Sequence, residues 1–291
     1  MKSKTIALVA VISAGVLGSA VAGVAKKGLG EIPPYSYTFL RFVVASLCVM
    51  PFLFTKQGKE VLQIRKLTPV SLFATANVVL FILGVNLTTA NVGSVIYAAV
   101  PLLTALIIFL FFRTRLSLGK ELGIVFGFIG VLIITFLPLF EKGNPFAGSL
   151  FGNLLLTMAV ILWSFYLVFS KKLQQRYSPM IITSHFIFLS TLIMFPFFAW
   201  ESFANPGWWN HVTGWGIFSV FYMGAMITVL NYLLNQYAIK HGGAVLASMM
   251  FYIMPVLGFI VNFFLLGELL TVGFIIGSLI AFFGTYLVVR K

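Results

Sequence analysis

A chain of 291 residues that is 60% hydrophobic and only 9% charged excludes water as its main solvent, because soluble domains carry about a quarter charged residues. Its single cysteine, Cys48, sits inside an apolar run, which excludes both a disulfide framework and a cysteine-based zinc site. A formal net charge of +13 would point a soluble protein toward nucleic acid. In a membrane chain it is read first against the positive-inside rule, which absorbs nearly all of it and leaves no nucleic-acid partner.

Apolar runs of about twenty residues, each long enough to cross ~30 Å of hydrocarbon as a helix, recur along the whole chain. They predict an all-α membrane protein of ten spans, at 6–25, 34–54, 70–88, 92–112, 118–139, 148–170, 179–200, 214–238, 243–266 and 270–289. Pro33-Pro34, Pro69, Gly143-Asn144-Pro145, Ser178-Pro179 and Gly242-Gly243 punctuate the joints. With the N-terminus in the cytoplasm, the inner segments hold fifteen lysines and arginines, and the outer loops hold only Lys26, Lys27 and Lys142. That asymmetry places both termini on the cytoplasmic side of an inner membrane. The first span has a rival reading as a secretory signal, since Lys2 and Lys4 precede an apolar run and the small residues Ser19 to Gly23.

The chain also matches itself. Shifted by 154 residues, 77–135 lies over 231–289 without a gap, pairing Asn77 with Asn231, Ser94 with Ser248, Pro101 with Pro255, Leu116 with Leu270 and Gly119 with Gly273. A shift of about 146 lays the first span over the sixth, with Leu17-Gly18 over Trp163-Ser164 and Lys26 over Lys172. Equivalent helices are five apart, and five is odd, so the two five-helix halves insert in opposite orientations. Transporters use such an inverted repeat to place a site near the bilayer midplane and open it alternately to either side.

Several local elements fall in a recognisable order. Leu17-Gly18-Ser19 runs through to Lys26 in the first span, and Leu40-Arg41-Phe42 lies in the second. Trp163-Ser164-Phe165-Tyr166 with Ser170-Lys171 lies in the sixth, and Pro255 followed by Leu266-Gly267-Glu268 in the ninth. In this order and spacing the whole chain resembles the ten-helix, EamA-type branch of the drug/metabolite transporter superfamily. Two departures stand out: Leu17 replaces the family's usual tryptophan, and Arg113-Thr114 replaces the Gly-Glu pair in the first half. The resemblance implies two EamA-like repeats, 1–143 and 144–291, around a central cavity. It also implies a transporter of small metabolites or amino acids, often an exporter.

The chain has no aspartate, and its six glutamates (31, 60, 121, 141, 201 and 268) fall in loops or at span ends. A proton-for-cation antiporter with a mid-membrane carboxylate is therefore disfavoured. Uniport, exchange or coupling through a group such as His185 stays open. Asn77 and Asn231, repeat equivalents inside apolar spans, must find partners or face a wet cavity. Asn235 lies one turn after Asn231, and Tyr232 and Gln236 form a neighbouring polar stripe. Ser94 and Tyr97 before Pro101, and Ser248 before Pro255, predict kinked helices flanking that cavity.

Trp163 and Tyr166 are candidate aromatic walls, Trp163 being too central in its span for an interfacial belt. Arg41 can be read equally as a snorkelling anchor or as a binder of substrate carboxylate. Gly119, Gly123 and Gly127, with Gly273, Gly277 and Ala281, form small stripes that predict a packing seam between the fifth and tenth spans or a homodimer surface. Rival classes are an intramembrane enzyme, for which no HExxH, GxSxG or P-loop pattern exists, and a structural protein without transport activity. The expectation is a secondary transporter or facilitator of a small metabolite, needing no metal or cofactor.

Overall fold

In lipid every backbone N–H and C=O must be satisfied within its own segment, so an apolar chain of this kind folds as helices. The computed structural model describes residues 2–56, 58, 61, 64–113 and 118–289; Glu60, Thr114, Leu116, Arg290 and Lys291 lie outside them. Among the described residues nine helices are long and apolar enough to span a bilayer. These are α1 (Thr5–Leu29), α2 (Pro34–Leu53), α3 (Arg65–Leu87), α4 (Ala90–Phe112), α5 (Glu121–Phe140), α6 (Pro145–Leu173), α7 (Pro179–Ala204), α8 (Gly214–Gly242) and α9 (Ala244–Leu266). The tenth expected span is helix α10 (Val272–Val289), whose stretch Val272–Gly284 forms a shorter apolar helix.

Several of these helices are broken where their chemistry demands it. In α4 a 3-10 turn occupies Tyr97–Ala99, beginning four residues before Pro101, whose ring displaces the carbonyl one turn earlier. In α9 the break falls at Met249, ahead of Pro255. In α1 it falls after Gly18, where the Ser19 hydroxyl donates to the Val16 carbonyl at 2.7 Å. The middle of α8, Tyr222–Asn231, is a π-helix, a rare form that collects at functional sites.

The most extensive helix pairings cross between the halves: α5 with α10, α3 with α6, α1 with α8 and α2 with α7. Along the α5–α10 seam, Gly130 backs onto the backbone of Gly277 and Ala281, and Gly284 onto that of Gly123 and Gly127, leaving no room for a Cβ. These small residues face one another within one chain, while Gly119 faces open space.

The face where α1 begins is called near, and the opposite one far. At the far face Lys26 donates to the carbonyls of Val85, Asn86 and Thr88, closing the C-terminus of α3. At the near face Lys171 donates to those of Ile239 and Lys240, closing α8. Lys171, and not Lys172, is therefore the counterpart of Lys26, and the offset between the two starts is 145 residues, one less than the sequence match suggests. Apolar positions in α1 and α6 fit both registers; the ammonium groups decide between them.

Four glutamates then brace the far face. Glu31 accepts from the N–H groups of Thr213 and Gly216 at the start of α8, and Glu201 from those of Tyr35 and Ser36 at the start of α2. Glu268 accepts from Ala90 and Asn91 at the start of α4, and Glu141 from Gly273 in α10. Each carboxylate thus satisfies orphan donors of a neighbouring helix and sits against its positive end.

Candidate functional site

Between the two halves lies a cavity of about 70 Å3, room for a few waters. Its wall takes residues from α1, α2, α3, α4, α6, α8 and α9. Asn77 on α3 donates to the Ala159 carbonyl of α6 at 2.8 Å and to the Tyr97 hydroxyl at 2.6 Å. Its counterpart Asn231 on α8 donates to the Ala14 carbonyl of α1 at 2.7 Å. Ala14 and Ala159 differ by the same 145 residues as the two lysines. The two asparagines thus repeat one bond, each amide tying its helix to the first span of the other half.

The aromatic wall is continuous. Phe81 packs on Tyr97, Tyr97 on its repeat equivalent Phe251 and Phe251 on Trp163, with ring centroids 5.5, 5.5 and 6.0 Å apart. Trp163 in turn meets Tyr232 edge-on at 5.0 Å. Ring edges and faces of this kind prefer tilted contacts at such spacings. Trp163 is 4% exposed, and its indole N–H finds no acceptor.

Arg41 departs from the snorkelling expectation. It lies seven residues into α2, about 10 Å along the helix, and is only 2% exposed. Its Nε and Nη2 donate to the Thr228 hydroxyl at 3.1 and 2.9 Å. Thr228 sits in the π-helical part of α8 and donates in turn to the Met223 carbonyl. The wide π turn and Gly224, which packs on Val44 and the Arg41 carbonyl, hold α8 close enough for that bond. The side chain therefore stays at the cavity and does not turn out to the interface.

Of the twelve residues singled out from the sequence, Arg41, Asn77, Ser94, Tyr97, Trp163, Asn231 and Tyr232 line the cavity. The other five lie elsewhere. His185 pairs with the Ser71 hydroxyl of α3 at 2.8 Å, a bond that occupies one ring nitrogen between two helices. Gln236 donates to the Tyr166 hydroxyl at 2.6 Å and to Ser170 at 3.1 Å, and receives Gln174, so the lower end of the α8 polar stripe is taken up by α6 while Tyr232 stays on the cavity wall. Asn235 donates to the Met250 sulfur at 3.4 Å, and Ser248 returns its hydroxyl to Val245 within its own helix. The sequence reading missed Gly18, Phe81, Met250 and Met254 in the lining. Gly18 is the repeat position of Trp163 only in the 145-residue register that the lysine contacts fix; the others are ordinary apolar residues with no signal.

Arg113, at the repeat position of Gly267, takes the same left-handed conformation, φ 49° against 68°. The turn after α4 therefore keeps its shape without the glycine, at the strain an L-residue pays there.

The profile of the EamA-like transporter family matches residues 5–136 and 150–290. An uncharacterized transporter of Archaeoglobus fulgidus is 27% identical, over 91% of this chain and 91% of its own. The uncharacterized transporter YdfC of Bacillus subtilis is 25% identical over 95% and 89%. A WAT1-related protein of Arabidopsis thaliana is 23% identical over 87% and 81%. One solved crystal structure shares the fold, with a TM-score of 0.66 at 17% identity, covering 97% of this chain and 95% of its own. With matches spanning both halves of a helical membrane protein, the chain belongs to the EamA-like transporter family and is a transporter, not an enzyme.

Proposed function

We propose that this chain is a secondary transporter, most simply an exporter, that carries a small metabolite such as an amino acid across the inner membrane by alternating access. In this reading the near face is the cytoplasmic one, because the positive-inside tally of the sequence assigns fifteen of the lysines and arginines and both chain ends to that side. The cavity between the halves is the transport site, with Asn77, Ser94, Tyr97, Trp163, Asn231, Tyr232 and Arg41 facing the solute.

The observation that carries the reading is the exchanged pair of asparagine bonds, Asn77 to Ala159 and Asn231 to Ala14. They bind the two halves to each other beside the cavity through equivalent contacts, so rocking one half against the other can open either side around a fixed centre. Purified protein in proteoliposomes, loaded with a metabolite mixture, tests it. At least one solute should move, and Asn77→Ala and Trp163→Ala should each slow it. Failure of every solute to move removes the transport reading. Full activity in both variants removes the site assignment.

A further inference from the structure

A charge buried this deeply needs a partner, and among the described residues Arg41 has none of opposite sign. Removing one ion of a buried pair typically destabilises a protein by several kcal/mol because the other is left uncompensated, and a lone cation inside a membrane is costly by any scale. The guanidinium presents five N–H donors. Only Nε and one Nη2 hydrogen are engaged, both with Thr228. The ionisable groups that act on it are the neutral phenols of Tyr232, Tyr37 and Tyr97. Among the described residues no carboxylate lines the cavity, and the four far-face glutamates are spent on helix ends.

A second buried donor stands on the same wall, the Trp163 indole N–H, without an acceptor. The amide nitrogens of Asn77 and Asn231 are already committed to carbonyls. The cavity thus offers a positive charge and a free donor to whatever enters, and no negative charge. The rest of its surface is rings and thioethers: Phe81, Tyr97, Tyr232, Phe251, Met250 and Met254.

The fold itself does not require the arginine. An offset of 145 takes Pro34 to Pro179 and Arg41 to Phe186, and Phe186 serves as an ordinary packing residue, stacked on Tyr232 at 4.8 Å. One half supplies the charge and the other a ring.

We propose that the site takes an amphipathic organic monoanion, a carboxylate with an aromatic or branched apolar body. The guanidinium of Arg41 is its counter-ion, the Trp163 N–H donates to one of its oxygens, and the aromatic wall covers its body. This rests on the transport reading and narrows it. The site favours an oxo acid or aryl acid over the corresponding zwitterionic amino acid, whose ammonium would meet the arginine field with no carboxylate to offset it, and rejects the corresponding amine.

Calorimetric titration of the purified full chain with phenylpyruvate, phenylalanine and phenethylamine tests the ranking. Phenylpyruvate should bind at least about tenfold more tightly than either of the others, which a single uncompensated charge readily supplies. Arg41→Gln should lose at least about tenfold in phenylpyruvate affinity, Arg41→Lys less because it keeps the charge without the fork, and Trp163→Phe a few-fold. Equal binding of all three solutes, tighter binding of the amine, or no binding of any overturns the proposal. So does undiminished phenylpyruvate binding in a monodisperse Arg41→Gln protein. If Arg41→Gln does not fold, the wild-type ranking and Trp163→Phe decide alone. Counterflow of labelled solutes in proteoliposomes separates the two levels. A preserved binding order without movement leaves the anion site standing and removes transport. Movement of phenylalanine or the amine in preference to phenylpyruvate does the reverse.

Discussion

The two membrane faces are made from one repeated half, and they end differently. Lys26 and Lys171 perform the same act on opposite faces, each closing the C-terminus of a helix in its own half. The carboxylates do not repeat. An offset of 145 carries Glu31 to Arg176 and Glu201 back to Lys56, and an offset of 154 carries Glu268 back to Thr114. The far face therefore has four charge-assisted braces between helix ends, each bond of a kind worth about 1.5–3 kcal/mol when shielded. At the near face the start of α7 relies on its own Ser178, and a cleft of about 520 Å3 opens among the ends of α4, α6 and α8 and the start of α9. The difference teaches that the repeat is kept at its axis and released at its ends. Among the described residues the structure is pinned more firmly on the far side than on the near side.

Substitutions at the symmetric lysines break the comparison most sharply. Lys26→Met strands three carbonyls and removes the positive neighbour of Glu268. It should destabilise the protein by about 2–4 kcal/mol, read as a fall in the apparent melting temperature in detergent. Next comes Glu268→Ala, which leaves the buried N–H groups of Ala90 and Asn91 without acceptors at a cost of about 2 kcal/mol. Lys171→Met makes the equivalent change at an exposed position and should cost about 0.5–1 kcal/mol. Equal losses in Lys26→Met and Lys171→Met would show that the faces are matched after all.

Acidity sharpens the contrast within the far face, because two of its braces respond with opposite signs. Burial pushes the Glu268 carboxyl above its usual range, against the pull of the Ala90 and Asn91 N–H groups and Lys26. A raised value means that the closed contact holds the proton more tightly than open water does. Its contribution to closure is full below the ordinary carboxylate range and declines as pH rises through the raised value. Glu31 is held below that range, chiefly by the Thr213 N–H. Its contribution is present above the ordinary value and fades as pH falls through the depressed one. Far-face accessibility to a water-soluble thiol reagent, followed against pH, should therefore lose its high-pH rise in Glu268→Gln and its low-pH rise in Glu31→Gln. The Glu31 effect should be the smallest of all, since that carboxylate is solvated.

Much of this was legible in the sequence, and the part that was not has a physical reason. Apolar run length and the lysine tally give the helices, and matched Asn, Ser and Pro positions give the repeat, because polar and helix-breaking residues in lipid are too costly to place at random. The same logic puts Asn77, Asn231 and Trp163 on the cavity. It left Gln236, Asn235 and His185 undecided, since a polar residue in a membrane helix must find a partner but its spacing does not say whether that partner is solute or protein. Tyr166, Met250 and Ser71 are the partners they found. Arg41 was ambiguous for the converse reason. Its depth fits either a snorkelling or a buried side chain, and only the π-helical Thr228 decides.

The most direct test places a cysteine at Ser94, on the cavity wall, after Cys48, which is exposed, is changed to serine. A membrane-impermeant thiol reagent is then added to either side of sealed proteoliposomes of known orientation. Labelling should come from the near side while Lys26 and Glu268 are intact, and from the far side as well once either is replaced. A cysteine at Ser94 that reacts from neither side in any of these proteins would contradict the account.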